Sequence, residues 1–163
     1  MRPAGSDAAP DAARGSLHGV GVVIGEAGVL LRGKSGAGKS RLAEELVEEA
    51  RRRGWFGRLV ADDRVLIAVC GGRLALSPHP AIAGRIERRG QGVFPVAYEK
   101  AAVLRLVVDL VERDRAADRP ARMPGPDEQT ATIAGVSVPR LALAAGEPGA
   151  AQAILERIRQ MNV

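Results

Sequence analysis

The stretch Gly33-Lys34-Ser35-Gly36-Ala37-Gly38-Lys39-Ser40 constrains this chain more than any other. It fits the pattern G-x-x-x-x-G-K-[ST] and stands between an apolar run, Val29 to Arg32, and a stretch of helical periodicity, Ser40 to Arg53. That strand–loop–helix context is what the motif requires. The glycines let successive backbone N–H groups turn inward towards a phosphate, and the helix that starts inside the loop adds the positive end of its dipole. All eight residues, Gly33, Lys34, Ser35, Gly36, Ala37, Gly38, Lys39 and Ser40, are therefore expected to cradle ATP. Lys39 would reach the β and γ phosphates, and Ser40 would set its hydroxyl on Mg2+. The chain has only three lysines, Lys34, Lys39 and Lys100, and two lie in the loop, which argues against surface decoration.

Leu42, Ala43, Leu46, Val47 and Ala50 recur at helical spacing, with Glu44, Glu45, Glu48 and Glu49 on the other face. Gly54 can end this helix. Upstream, Val20 to Ile24 and Val29 to Arg32 flank a turn at Glu26 to Gly28 and read as a hairpin. Downstream, Arg58 to Ala61 reads as a strand, and Val65 to Val69 with Arg73 to Ser77 as a second hairpin turning on Gly71-Gly72. Ala81 to Arg88 is expected as a short helix, Gly92 to Ala97 as extended, and Val103 to Val111 as a buried strand. The Pro-rich, charged stretch Glu112 to Gln129 is expected to be a mobile functional loop. Thr132 to Ala134 and Val136 to Ala142 read as extended, and a last helix runs from about Gly149 to Met161. Residues 1–14 lack periodicity and read as a disordered leader, leaving 15–163 as one P-loop kinase domain.

A net charge of +5 allows a nucleic acid, an acidic partner protein or a polyphosphate as ligand. The basic residues form no stripe with interleaved aromatics, and Arg51 to Arg53 sit where cations offset a helix dipole, so no nucleic-acid partner is expected. Cys70 is the only cysteine, which excludes an internal disulfide. Arg105, Asp109 and Glu112 interrupt the longest apolar stretch, so no membrane span is expected and the chain reads as cytoplasmic.

Leu59-Val60-Ala61-Asp62-Asp63 is an apolar strand ending in two carboxylates, where P-loop proteins hold Mg2+ and the attacking group. Adjacent strand residues point to opposite faces, so both acids serve one site only if the strand stops there. Taken alone, the doublet also reads as a solvated turn. Joined to His18-Gly19, the phosphate loop, and Glu87-Arg88-Arg89-Gly90-Gln91-Gly92, it makes the sequence resemble the catalytic domain of HPr serine kinase/phosphorylase. That pattern runs His-Gly, G-x-S-G-x-G-K-S, V-A-D-D and E-x-R-G-x-G, and the likeness spans roughly residues 15 to 145. The chain looks like the short alphaproteobacterial form, which lacks the family's N-terminal domain.

The resemblance implies an α/β fold, a P-loop mixed sheet with flanking helices like that of phosphoenolpyruvate carboxykinase. It implies phosphorylation of a serine of the phosphocarrier protein HPr, with reverse phosphorolysis, and homo-oligomers such as the hexamers of related members. Asp62 would be the general base, Ser40, Glu87 and Asp63 the metal set, Lys39 and Arg89 the phosphoryl-oxygen donors, and His18 a catalytic neighbour of the phosphate end. Arg122 would match a further active-site arginine, among the candidates Arg113, Arg115, Arg119 and Arg122. Read from the residues alone, a lone histidine before a strand, such as His18, is more often a hydrogen-bonded structural residue than a catalytic one, and Glu87 and Arg89 also read as solvated helix-end charges. Two departures stand out. The span from Lys39 to Asp62 is longer than the family's, around Arg51 to Gly57, and the family's P-x-R-P-G-R-type element is represented only by Val138-Pro139-Arg140-Leu141, which leaves phosphorolysis open. Two other functions fit the same loop, a P-loop phosphotransferase for a small metabolite and a non-catalytic nucleotide-sensing module.

Overall fold

An apolar run without polar alternation makes a strand covered on both faces. Ala27–Arg32 is such a run, with its first five residues buried. The computed structural model describes residues 14–112 and 123–162 and sets this strand, β3, inside a mixed sheet. In chain order, β1 (Arg14–His18) and β2 (Val20–Ile24) precede it. After it come α1 (Lys39–Arg52), β4 (Gly57–Ala61), β5 (Arg64–Cys70) and β6 (Arg73–Pro78). A separate two-stranded ribbon follows, β7 (Arg85–Arg88) with β8 (Gly92–Pro95), and then β9 (Ala102–Val111), β10 (Thr130–Ile133), β11 (Val136–Ala144) and α2 (Ala150–Met161).

The main sheet runs β1-β5-β6-β9-β3-β2-β4, with β11 also paired to β9 and β10 to β11. Among the described strands, the β3–β9 and β9–β11 pairings are the parallel ones. Their carboxyl ends therefore open at one end of the sheet, which is where ligands bind in open α/β sheets. The two-residue side-chain period separates two cores. Val29 and Leu31 face the cluster completed by Leu42, Leu46, Ile154 and Ile158 of the helices, whereas Leu30 faces Val60, Val65, Leu76 and Val107. α1 buries Leu42, Ala43, Leu46 and Ala50 as one stripe and ends at Gly54, which takes a left-handed φ of 75°. At Gly28 a Cβ would lie 2.4 Å from the Val103 carbonyl oxygen, so only glycine lets β3 approach β9 this closely.

The helix expected over Ala81 to Arg88 is not formed. A single 3-10 turn at Pro80–Ile82 gives way to β7. Ile86 is buried between the exposed Arg85 and Glu87, a period of two that suits a strand. Gly84, with φ of 72°, lies against the Tyr98 ring and breaks any helical course. The sequence pattern gives no strand before Val20, yet β1 forms over Arg14–His18 and pairs with β5. The remainder of the expected leader, the 113–122 part of the long loop and its Arg122 lie outside the described residues. The loop re-enters through a 3-10 turn at Pro126–Gln129.

Beside the phosphate loop, Arg32 grips Asp109 with two bonds, Nε to Oδ1 at 2.7 Å and Nη2 to Oδ2 at 2.8 Å. Arg140 donates to the same carboxylate and also to the Glu128 carbonyl. One acid thus ties β3, β9 and β11 together. Burial alone would raise the Asp109 pKa, but the hydrogen bonds and charges of the two arginines outweigh it and hold the carboxyl below its ordinary value. A depressed carboxyl stabilises the fold at pH above its unfolded-state pKa of about 4, and that contribution is lost as pH falls through the lowered value. Asp109→Asn should lower stability by about 2 kcal/mol at pH 7 in urea unfolding. Its difference from wild type should shrink as the pH drops below about 4; a gap that stays constant below about pH 4 would refute the charge-based origin.

Candidate active site

Three segments meet at the carboxyl end of β3. The first is the loop itself. Gly33 leaves the strand with φ of 158°, Gly36 and Gly38 take left-handed φ of 83° and 89°, and the helix opens at Lys39. The Lys39 side chain folds back over the loop, its Nζ donating to the carbonyls of Gly33 at 2.9 Å and Lys34 at 2.8 Å. Burial pushes the ammonium below its ordinary pKa, and the carboxylates of Asp63 and Asp62 partly oppose that shift. Both acids therefore lie within electrostatic reach of the loop lysine.

The second segment is the end of β4. The strand stops at Ala61, the backbone turns at Asp63 with a left-handed φ of 65°, and β5 begins at Arg64. Arg64 N–H closes the turn on the Asp62 carbonyl at 2.7 Å. The two side chains consequently diverge. Asp62 is buried, at 7% exposure, and accepts the Ser40 hydroxyl on Oδ1 at 2.7 Å. Asp63 lies in the open with its Oδ1 3.3 Å from His18 Nδ1, at the end of β1. Gly19 N–H donates to the Asp63 carbonyl, which fixes β1 to the turn.

The third segment is the β7–β8 ribbon. Its Glu87 N–H donates to Asp62 Oδ2 at 2.8 Å, so both oxygens of that carboxylate are held. Arg88 crosses to Glu44 of α1 with bonds of 2.9 and 2.8 Å and lies over the Phe94 ring, 4.5 Å from its centroid. Arg89, in the turn between the strands, reaches the phosphate loop. A Cβ added at Gly36 would come within 2.8 Å of its Nη1.

The structure thus brings together the loop residues Gly33 to Ser40, Asp62, Asp63, His18 and Arg89 around one opening. Glu87 joins through its main chain, while its side chain is exposed. Of the expected metal set, Ser40 contacts Asp62, and Asp63 contacts His18. Among the described residues, no three His, Cys, Asp or Glu side chains form a self-sufficient metal cluster. The adjoining hydroxyl of Ser40 and carboxylate of Asp62 nevertheless suit Mg2+, which commonly takes one or two carboxylates and completes its shell with water and substrate phosphates. The role of the Glu87 amide and the Arg88–Glu44 clasp escaped the sequence reading. The signal available in the sequence is the pair of glycines, Gly90 and Gly92, residues that suit the tight turn of a hairpin.

A glycine-rich loop between a parallel-paired strand and a helix, with an acid from the end of β4, one strand removed in the sheet, on its serine, defines a P-loop domain. A family model described as the HPr Serine kinase C-terminal domain matches residues 11–162, and the chain belongs to that family. An HPr kinase/phosphorylase of Limosilactobacillus reuteri (strain DSM 20016) is 38% identical over 146 residues, covering 81% of this chain and 41% of the relative. One from Exiguobacterium sp. (strain ATCC BAA-1283 / AT1b) is 34% identical over 155 residues, covering 90% of this chain and 47% of that protein. The chain thus spans less than half the length of these relatives. The solved structure of the Hpr(Ser) kinase/phosphatase from Coxiella burnetii shares the fold, with a TM-score of 0.74, 24% identity, and coverage of 91% of this chain and 96% of that one.

The contact of Arg89 with the loop gives a direct check. Gly36→Ala should cost about 1–2 kcal/mol for the left-handed backbone alone, plus whatever displacing the guanidinium requires. Arg89→Ala introduced beside it should recover the second part and leave the first. Urea unfolding of the two single variants and the double variant measures both, and strictly additive losses would mean that Arg89 does not press on Gly36.

Proposed function

We propose that this chain transfers the γ-phosphoryl group of ATP to a serine hydroxyl of HPr. The observation that supports this most is the buried Asp62 carboxylate. It is bound to the loop's own Ser40 and to the Glu87 amide, within reach of the charge on Lys39. Membership of the family and the names of the relatives supply the acceptor. The cytoplasm, where nucleoside triphosphates are available, is the setting this reaction requires.

In the forward direction the serine oxygen bonds to the γ phosphorus, the bond from that phosphorus to the β,γ-bridging oxygen breaks, and ADP leaves. The serine proton passes to Asp62. Each oxygen of that carboxylate uses one acceptor site on Ser40 or Glu87 and retains another. Holding both oxygens fixes the base before the acceptor arrives, which lowers the reorganisation needed in the transition state. Lys39 and Arg89 face the phosphoryl oxygens, where charge shifts during transfer. When bound at Ser40 and Asp62, Mg2+ would offset the charge of the phosphates. Asp63 and His18 form the exposed rim on the side from which a protein acceptor approaches. In the reverse direction inorganic phosphate attacks the phosphoserine phosphorus, serine leaves with a proton returned from Asp62, and pyrophosphate forms.

The experiment is a phosphotransfer assay with ATP, Mg2+ and HPr, alongside HPr whose target serine is alanine. Phosphoserine should appear on the first acceptor alone. Asp62→Asn keeps an acceptor oxygen for its neighbours but loses the charge and the proton acceptor, so turnover should fall by roughly 10²–10⁴-fold. Unmodified HPr in the presence of an active control enzyme would end the proposal, and near-normal turnover by Asp62→Asn would remove the base assignment.

A further inference from the structure

Three successive residues of β7 are fixed to three different parts of the molecule. Ile86 is buried in the core cluster that includes Leu42 and Leu46 of α1, and the Glu87 amide donates to Asp62 Oδ2 at 2.8 Å. Arg88 donates through Nε and Nη2 to Glu44 Oε1 at 2.9 and 2.8 Å. Across the ribbon, Arg88 faces Gly92, which has no side chain, and Ile86 faces Phe94. The guanidinium therefore lies diagonally over the Phe94 ring, 4.5 Å from its centroid. The ring and the carboxylate together hold a planar cation that a single hydrogen bond would leave free to swing.

Apolar burial at Ile86 has no direction of its own, and the Glu87 amide is a single bond about which a ribbon can pivot. The Arg88–Glu44 pair adds a second directional point, and two points fix the angle at which the ribbon leaves the helix. Arg89, which reaches the phosphate loop, is the next residue along the chain. On its far side Gly90 and Gly92 take left-handed φ of 74° and 108°, and glycine is too permissive to aim a neighbour from there.

We infer that Glu44 and Arg88 are positioning residues for phosphoryl transfer, and that their clasp keeps the Glu87 amide on Asp62 and aims Arg89 at the group in transfer. The inference rests on the function proposed above. Phosphoryl transfer depends almost wholly on where charges are placed, and a misplacement of about 1 Å can cost about a hundredfold in rate. A partly exposed ion pair contributes little to global stability, so the clasp acts on turnover far more than on unfolding. Lys39 takes its bonds within the loop itself, at Gly33 and Lys34, so capture of the phosphates depends on the ribbon less than transfer does.

Two measurements on the whole chain test this, with Glu44→Ala, Arg88→Met and the double variant. The first is phosphotransfer from ATP to HPr with Mg2+. In each single variant kcat should fall by about tenfold or more while KM for ATP stays within about threefold, and the double variant should lose no more than about twofold beyond the worse single one. Removing the Glu44 charge and removing the Arg88 charge change the potential at the phosphates with opposite sign, so a field effect would move kcat in opposite directions. That result would overturn the inference, as would an unchanged kcat in both variants or losses that simply add. The second measurement, hydrogen exchange of the Glu87 amide followed by NMR without nucleotide, needs no turnover. Exchange at Glu87 should quicken by about tenfold or more in each single variant while amides of β3 and β9 stay within about twofold. An unchanged Glu87 amide would overturn the clasp, and so would equal acceleration across β3 and β9, which marks a general loss of structure. If wild type leaves HPr unphosphorylated, the proposed function fails, and the Glu87 amide alone then decides whether the clasp holds the ribbon.

Discussion

The two hydrogen bonds accepted by Asp62 join three separate elements of the fold at one carboxylate. Ser40 belongs to the first turn of α1, Asp62 to the end of β4, and Glu87 to a ribbon outside the main sheet. A two-stranded ribbon is marginal by itself in water. Here it is held by an amide on a buried carboxylate, by the Arg88–Glu44 pair, and by Ile86 in the helix-side core. Bonds to a charged acceptor are stronger than neutral ones, and a buried acid must be paired or pay a large desolvation cost. The position of Arg89 over the phosphate loop follows from this anchorage, because Arg89 lies only two residues beyond Glu87.

The other half of the framework is β9. It contacts β3 and β11 in parallel and β6 in antiparallel register, and it ends beside the loop. Its acid, Asp109, takes arginines from both parallel neighbours, so the ends of β3 and β9 and the middle of β11 are tied together near the level where the loop leaves the sheet. The Lys34–Glu112 pair at 3.1 Å bridges the same region on the surface, but both residues are well exposed and such pairs contribute little.

Much of this was legible before any coordinates. The strand, loop and helix around Gly33 to Ser40 follow from local pattern, since a short apolar run, clustered glycines and a 3.6-residue stripe mark strand, turn and helix in that order. The strand over Arg58 to Ala61 and its end at the acid doublet are legible in the sequence, but the two acids diverge instead of sharing one face. The ribbon was misread as a helix because its four-residue strands are too short to display their period, and its stability comes from contacts with Glu44 and Asp62, distant in sequence. The Arg140 remnant of the Pro-Arg element looked like a departure, yet its partner is Asp109 on another strand, which no local pattern could name.

The left-handed backbone at Asp63 has a consequence beyond the turn that it makes. In a continuing strand, two successive acids would look to opposite faces of the sheet. With φ at 65°, the doublet instead forms a corner, one carboxylate set inward beneath the loop serine and the other outward beside a histidine. Asp is among the few residue types other than glycine that tolerate this geometry. The repeated letter in the motif is therefore two different specifications, a buried acid followed by a hinge that happens to carry charge, and exchanging either one would disturb a different layer of the molecule.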